Sequence, residues 1–224
     1  MEAVVASDAQ AILARTAVVV LAGGRSRRMG RDKAQVRLGG GRLLDHALAG
    51  AARIAPGALL ALSWNGPAPD LAPLPPLLAD PLPDHPGPLA GVLAGLGWAA
   101  GTGRDWLLTL PVDTPFLPAD TLARLAAATG ARPEDGPADD LPPGPVPRLA
   151  RAGGRLHPAV ALWPVALAAP LARALAAGER RVARWAEAAG ALPVDFPDAA
   201  GFDNLNTPED LARAEARLAV AARA

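Results

Sequence analysis

The densest chemistry in the chain lies between Gly23 and Lys33, where Gly23-Gly24-Arg25-Ser26-Arg27-Arg28-Met29-Gly30-Arg31-Asp32-Lys33 sets five cations within nine residues. Glycines let successive backbone N–H groups turn toward one point, and cationic side chains add charge around it, so the segment reads as an anion cradle with phosphate as its natural guest. Lys33 is the only lysine beside 21 arginines. A compact ammonium on a flexible stem reaches phosphate oxygens where a broad guanidinium fork does not fit. Two familiar phosphate loops are excluded: G-x-G-x-x-G is absent, and Gly30-Arg31-Asp32-Lys33 stands where a P-loop would read G-K-[ST]. A bound triphosphate needs a divalent cation, so a carboxylate is expected at a strand end facing the loop, and Asp113 in P-V-D-T-P-F-L-P is the best candidate. Taken alone, the loop also reads as a basic surface turn contacting nucleic acid, and Asp113 as a turn or cap residue before Pro115.

The elements around these residues decide between the two readings. Residues 17–22 form an uninterrupted apolar, β-branched run stopped by Gly23-Gly24, as in a buried parallel strand, and ligand crevices of open α/β sheets lie at the carboxyl ends of such strands. Helical spacing over 43–54, an apolar run at 58–63, a small-residue helix over 89–100 and a strand over 105–112 continue an alternating βαβ pattern. A helix is predicted over 118–128, an exposed loop over 130–147, and a hairpin turning at Gly153-Gly154 between 148–152 and 156–163. Helices over 165–177 and 181–189 and a strand near 192–196 follow. Thr207-Pro208-Glu209-Asp210 opens a terminal helix with a capping Thr, Pro at the first position and acids in the first turn. The expected fold is α/β, a three-layer Rossmann-like domain with a mostly parallel central sheet.

Composition narrows the classes. The chain of 224 residues is 51% hydrophobic, enough for one sizeable core; residues 16–224 read as a single domain behind an N-terminal extension, 1–15. Lys plus Arg and Asp plus Glu both total 22, so no net field draws the molecule to nucleic acid or an anionic membrane. Cysteine is absent, which excludes disulfides and thiolate chemistry. The first segment carries Glu2 and Asp8 where a signal peptide carries positive charge, and no apolar run reaches membrane-spanning length, so a cytoplasmic protein is expected. His46, His85 and His157 have no metal-ligand spacing.

The run from Leu21 to Lys33 reads L-A-G-G-x-S-x-R-M-G-x-D-K and resembles the signature loop of molybdenum cofactor guanylyltransferases. The likeness implies nucleotide contacts at Leu21, Ala22, Gly23, Gly24, Arg25, Ser26, Met29, Gly30 and Lys33, with Arg28 and Lys33 on the phosphates. The D-T-P segment matches the family's and implies that Asp113 binds Mg²⁺. Asp80, ahead of Gly87-Pro88-Leu89-Ala90-Gly91, matches an Asp near the base and ribose, and Gly87, Pro88, Leu89 and Gly91 match the base-proximal wall. Asn65 follows the second strand as a nucleotide-contacting Asn does in that family, although Asn65-Gly66 is also a strong turn signal. Asn204 and Asn206 in N-x-N-T-P-E-D match residues facing the second substrate or metal, the alternative being helix capping. His157 matches an H-P segment beside the cleft; a lone His between apolar strand residues is otherwise structural.

The resemblance implies GTP as donor and molybdenum-loaded molybdopterin as acceptor, with a molybdenum-insertion protein and molybdoenzyme chaperones as further partners and no role for nucleic acid or membrane. Related cytidylyltransferases carry L-A-A-G where this chain has L-A-G-G. Departures are Val112, where Cys is common, and the Pro-rich stretch 133–147. Two rivals stay open: a relative using CTP with molybdopterin or an NTP with a sugar phosphate, and a non-catalytic nucleotide or nucleic-acid binding module.

Overall fold

A computed structural model describes residues 9–22, 33–82, 87–130 and 144–221. Strand β1 (Thr16–Leu21) sends Val18 and Val20 into one apolar layer and Ala17 and Val19 into the other. Burial on both faces is why its sequence is continuously apolar instead of alternating. A two-residue pair, β2 (Arg37–Leu38) and β3 (Gly41–Arg42), forms a small separate hairpin. β4 (Leu59–Ser63) and β6 (Trp106–Pro111) flank β1 in parallel, and β5 (Leu77–Leu78) adds outside β4. β7 (Arg148–Ala152), β8 (Arg155–Pro164) and β9 (Leu192–Phe196) complete the order β5-β4-β1-β6-β8-β7-β9. In this sheet the β6–β8 and β7–β8 pairings are antiparallel and the others parallel, as expected.

The helices after β1 are α1 (Leu43–Ile54), α2 (Pro88–Gly101), α3 (Thr121–Ala127), α4 (Ala168–Ala176), α5 (Val182–Ala188) and α6 (Pro208–Ala221). Apolar side chains of α1, α3 and α6 join the layer of Val18 and Val20, whereas those of α2, α4 and α5 join the layer of Ala17 and Val19. Two helical layers therefore sandwich the sheet. Helical residues 9–14 bring Ile12 and Leu13 onto the first layer.

Topology makes the crevice. From β1 the chain moves to β4 and β5 on one side, then crosses to β6 on the other, so connections diverge at the carboxyl ends of β1 and β6. Leu21 and Pro111 are in register, and the Val112 N–H donates to the Leu21 carbonyl at 3.1 Å, which brings Ala22 and Asp113 out side by side. The β7–β8 hairpin turns on Gly153 and Gly154, with φ of +56° and +73°, the left-handed pair such a two-residue turn requires. Its ladder shifts between Leu149 and Ala150: Leu149 pairs with Ala161, and Ala150 already with His157. Pro158 has no N–H to give a ladder, and the resulting bulge carries residues 158–160 along the crevice.

Two expectations are corrected. Helix α3 begins at Thr121, not Pro118, because the Thr121 N–H and hydroxyl both donate to the Pro118 carbonyl and close a turn ahead of it. The expected exposed loop over 130–147 ends in the core: Val146 and Pro147 are buried, while residues 131–143 lie outside the described residues. The cause is Arg148, which is fully buried and donates to the carbonyls of Ala128, Thr129, Val146 and Pro147 at 2.8–3.2 Å. Its guanidinium ties the end of α3 to the start of β7, and burial pushes its pKa down to about 10, which still leaves it charged at neutral pH.

Helix α2 approaches the sheet closely through Gly91. A Cβ there would lie 2.5 Å from Ser63 Oγ and 3.0 Å from Leu21 Cδ2. Overpacking of this kind costs about 1–3 kcal/mol, offset by the roughly 1 kcal/mol helix preference for Ala over Gly. Gly91→Ala is therefore expected to lower the melting temperature by several degrees, given about 2–4 °C per kcal/mol at this chain length. Adding Ser63→Ala, which removes the contacted hydroxyl, should recover part of the loss; no recovery would mean the contact is not the cause.

Candidate functional site

The crevice is a cleft of about 830 Å³. At its centre the Lys33 Nζ donates to Asp113 Oδ2 at 2.6 Å and to Asn206 Oδ1. Lys33 opens the 3-10 turn Lys33–Gln35, whose Ala34 is fully buried and anchors it. Asp113 follows β6, and its carbonyl accepts from the Leu205 N–H at 2.9 Å. Thr114 donates to Asn204 Oδ1 at 2.9 Å. The chain 204–206 is thus pinned to the end of β6, and its two amides flank the Lys33–Asp113 pair. The Lys33 and Asp113 side chains are 18% and 17% exposed, so the pair is shielded yet open to the cleft.

The next turn supports Asn206. Asp210 Oδ2 accepts from the N–H groups of Asn206 and Thr207, both at 2.9 Å, and the Thr207 hydroxyl accepts from the Asp210 N–H at 3.1 Å. The Thr207 cap is the one expected from Thr207-Pro208-Glu209-Asp210, and Asp210 makes it reciprocal. These hydrogen bonds, the one from Asn206 foremost, hold the Asp210 carboxyl below the usual carboxylate range. Arg213 pairs with the same carboxylate.

The cleft gathers Leu21, Ala22, Gly87, Pro88, Asp113, Lys33, His157, Asn204 and Asn206 from the sequence-predicted set. Gly23, Gly24, Arg25, Ser26, Arg28, Met29 and Gly30 lie outside the described residues, as does His85. Four other candidates stand differently. Gly91 is buried where α2 meets the sheet and is absent from the cleft lining. The Leu89 side chain is fully buried in the core layer beneath α2, so it supports Gly87 and Pro88 and does not face a ligand. Asn65 and Asp80 are absent from the cleft lining and hold each other: Asn65 Nδ2 donates to Asp80 Oδ2, and the Asp80 N–H donates to Asn65 Oδ1, both at 2.8 Å. Arg155, Asp203, Asp210 and Arg213 also line the cleft and were not singled out from sequence; the glycine turn before Arg155 and the capping signature at Asp210 were the available signals.

His157 sits half-buried, its ring 5.0 Å from that of Phe202. Burial, foremost, pushes its pKa below the ordinary imidazole value, with Arg155 adding to the effect. The unfolded chain then binds a proton that the folded one does not. Stability is full above the unfolded imidazole pKa of about 6.5 and is lost as pH falls from there toward the folded value. Chemical unfolding at about pH 7.5 and about pH 5.5 should show this decline, and His157→Gln should flatten it. An equal decline in the variant would assign it to other groups.

Rossmann-like topology, a switch-point cleft and a lysine–carboxylate pair at its centre make a ligand-binding α/β domain whose cleft carries both charges at its middle. Residues 18–192 match the model of the MobA-like NTP transferase domain. Molybdenum cofactor guanylyltransferase from Cereibacter sphaeroides is 49% identical over 205 residues, covering 89% of this chain and 95% of that protein. Its counterpart from Rhodobacter capsulatus is 44% identical, covering 91% and 97%. The crystal structure of molybdopterin-guanine dinucleotide biosynthesis protein A from Archaeoglobus fulgidus superimposes with a TM-score of 0.64 at 21% identity, covering 91% and 98%, a likeness of fold. The chain belongs to the MobA-like NTP transferase family, among relatives that are molybdenum cofactor guanylyltransferases.

Proposed function

We propose that this chain transfers GMP from GTP to the terminal phosphate of molybdenum-loaded molybdopterin, releasing pyrophosphate and forming the guanine dinucleotide cofactor. An acceptor phosphate oxygen attacks the α-phosphorus of GTP, the bond to the bridging oxygen of the β-phosphate breaks, and pyrophosphate leaves. No protein nucleophile is needed. The observation that carries the reading is the Lys33–Asp113–Asn206 cluster at the switch point, with Lys33 closing the sequence run that opens as L-A-G-G. The relatives' activity agrees with it.

The donor set suits Mg²⁺. Asp113 offers a carboxylate, with the amide oxygens of Asn204 and Asn206 nearby on 204–206. Among the described residues no three His, Cys, Asp or Glu side chains gather to form a complete cage. An ion held by one or two carboxylates plus substrate phosphates is the usual arrangement for Mg²⁺. Bound there, it would neutralise phosphate charge. Lys33 places a second positive charge beside it, Asn204 and Asn206 orient the acceptor side, and the 23–31 loop cradles the phosphates. We assign the protein to the cytoplasm, with a molybdenum-insertion protein and molybdoenzyme chaperones as partners; among the described residues no helix is long and apolar enough to cross a membrane.

The test is Mg²⁺-dependent pyrophosphate release from each of GTP, CTP, ATP and UTP, with and without molybdenum-loaded molybdopterin. Release from GTP that requires the acceptor supports the reading. Preference for CTP, or a requirement for a sugar phosphate, would move the chain to a sister activity, and no release with any pair would point to a binding module.

A further inference from the structure

The edge of the sheet lays out the cleft in order. The phosphate loop leaves β1, Asp113 leaves β6, and the next strand outward is β8. Because β8 runs antiparallel to β6, its first residue, Arg155, stands at the same edge. Ala22, Asp113 and then Arg155 therefore follow one another along the cleft.

Arg155 differs from the other cations there. Lys33 is bound to Asp113 and Asn206, and Arg213 to Asp210. Among the described residues Arg155 is the remaining Lys or Arg lining the cleft, and its side chain has no hydrogen-bond or ion-pair partner. On the same hairpin Arg151 is neutralised by both carboxylate oxygens of Asp195 at 2.6 Å. Beside Arg155, Leu156 is 50% exposed and also lines the cleft, an apolar surface for a ligand to cover. His157 adds no positive charge at neutral pH, because burial keeps it deprotonated.

We propose that Arg155 binds the terminal phosphate monoester of the acceptor and so sets acceptor specificity, an inference that rests on the guanylyl-transfer reading. Its guanidinium matches a phosphate's paired oxygens. Arg155→Ala should raise the acceptor KM roughly ten- to a hundredfold, the loss expected for one charge-assisted hydrogen bond. GTP affinity, measured by equilibrium titration, should hold, which also verifies folding. Arg155→Lys should recover much of the loss and Arg155→Glu should exceed it. A dephosphorylated acceptor used as competitor should bind wild type and Arg155→Ala equally. No turnover by wild type with GTP and molybdenum-loaded molybdopterin overturns the functional reading and this inference together. An unchanged acceptor KM in an Arg155→Ala protein that binds GTP normally overturns the role of Arg155 alone.

Discussion

Asp113→Ala is expected to reduce guanylyl transfer by about a thousandfold while leaving the protein folded. Preorganised electrostatic groups that stabilise a transition state contribute about 10²–10³ each, and on the proposed reading Asp113 adds to this as the carboxylate that would hold Mg²⁺, no cage of three His, Cys, Asp or Glu side chains being present among the described residues. The structural cost is small. When Asp113 is removed the Lys33 ammonium keeps its Asn206 partner and its opening to the cleft, so it is not left as an isolated buried charge. Asp113→Asn sharpens the experiment, because it keeps an oxygen for Lys33 but removes the negative charge. Both variants should fail alike in single-turnover measurements at saturating GTP and Mg²⁺, with melting temperatures near wild type. Near-wild-type turnover in Asp113→Asn would show that the group matters for shape, not for charge.

The residues that carried the sequence argument were those whose surroundings are local. An apolar strand buried on both faces, a Gly-Gly hairpin and a Thr-Pro-Glu-Asp helix start write their structure into adjacent positions, and all three stand as read. The convergence of Lys33, Asp113 and Asn206, separated by 80 and 173 positions from Lys33, was legible through motif resemblance because each motif sits at an element boundary. Arg148 was not legible. The four partners described for it are main-chain carbonyls, which residues of any type carry, so these contacts leave no mark in the sequence that distinguishes it from an exposed strand arginine. Leu89 and the Asn65–Asp80 pair show the opposite difficulty: a motif marks a neighbourhood, and packing decides which side chain in it faces the cleft. Arg155 escaped for a third reason, since its interest lies in lacking a side-chain partner among the described residues, which only three-dimensional placement reveals.

Lys33 bears the other large effect, and it separates binding of the metal from use of it. In the structure its ammonium holds Asp113 and Asn206 together, occupying oxygens that a divalent cation would take. Lys33→Ala frees Asp113, so Mg²⁺ alone, titrated without nucleotide, should bind more tightly than to wild type. Turnover should nevertheless fall by about 10²–10³, because on the proposed reading the positive charge that Lys33 brings beside the phosphates is missing in the transition state. Lys33→Arg tests whether charge suffices. The planar fork has fixed donor directions, whereas the ammonium reaches a carboxylate, an amide and then a phosphate by rotation about its stem. Arginine should thus restore part of the GTP affinity but little of the rate. Full rate in Lys33→Arg would reduce the residue to a point charge, and weaker Mg²⁺ binding in Lys33→Ala would mean that the lysine helps build the metal site instead of competing for it.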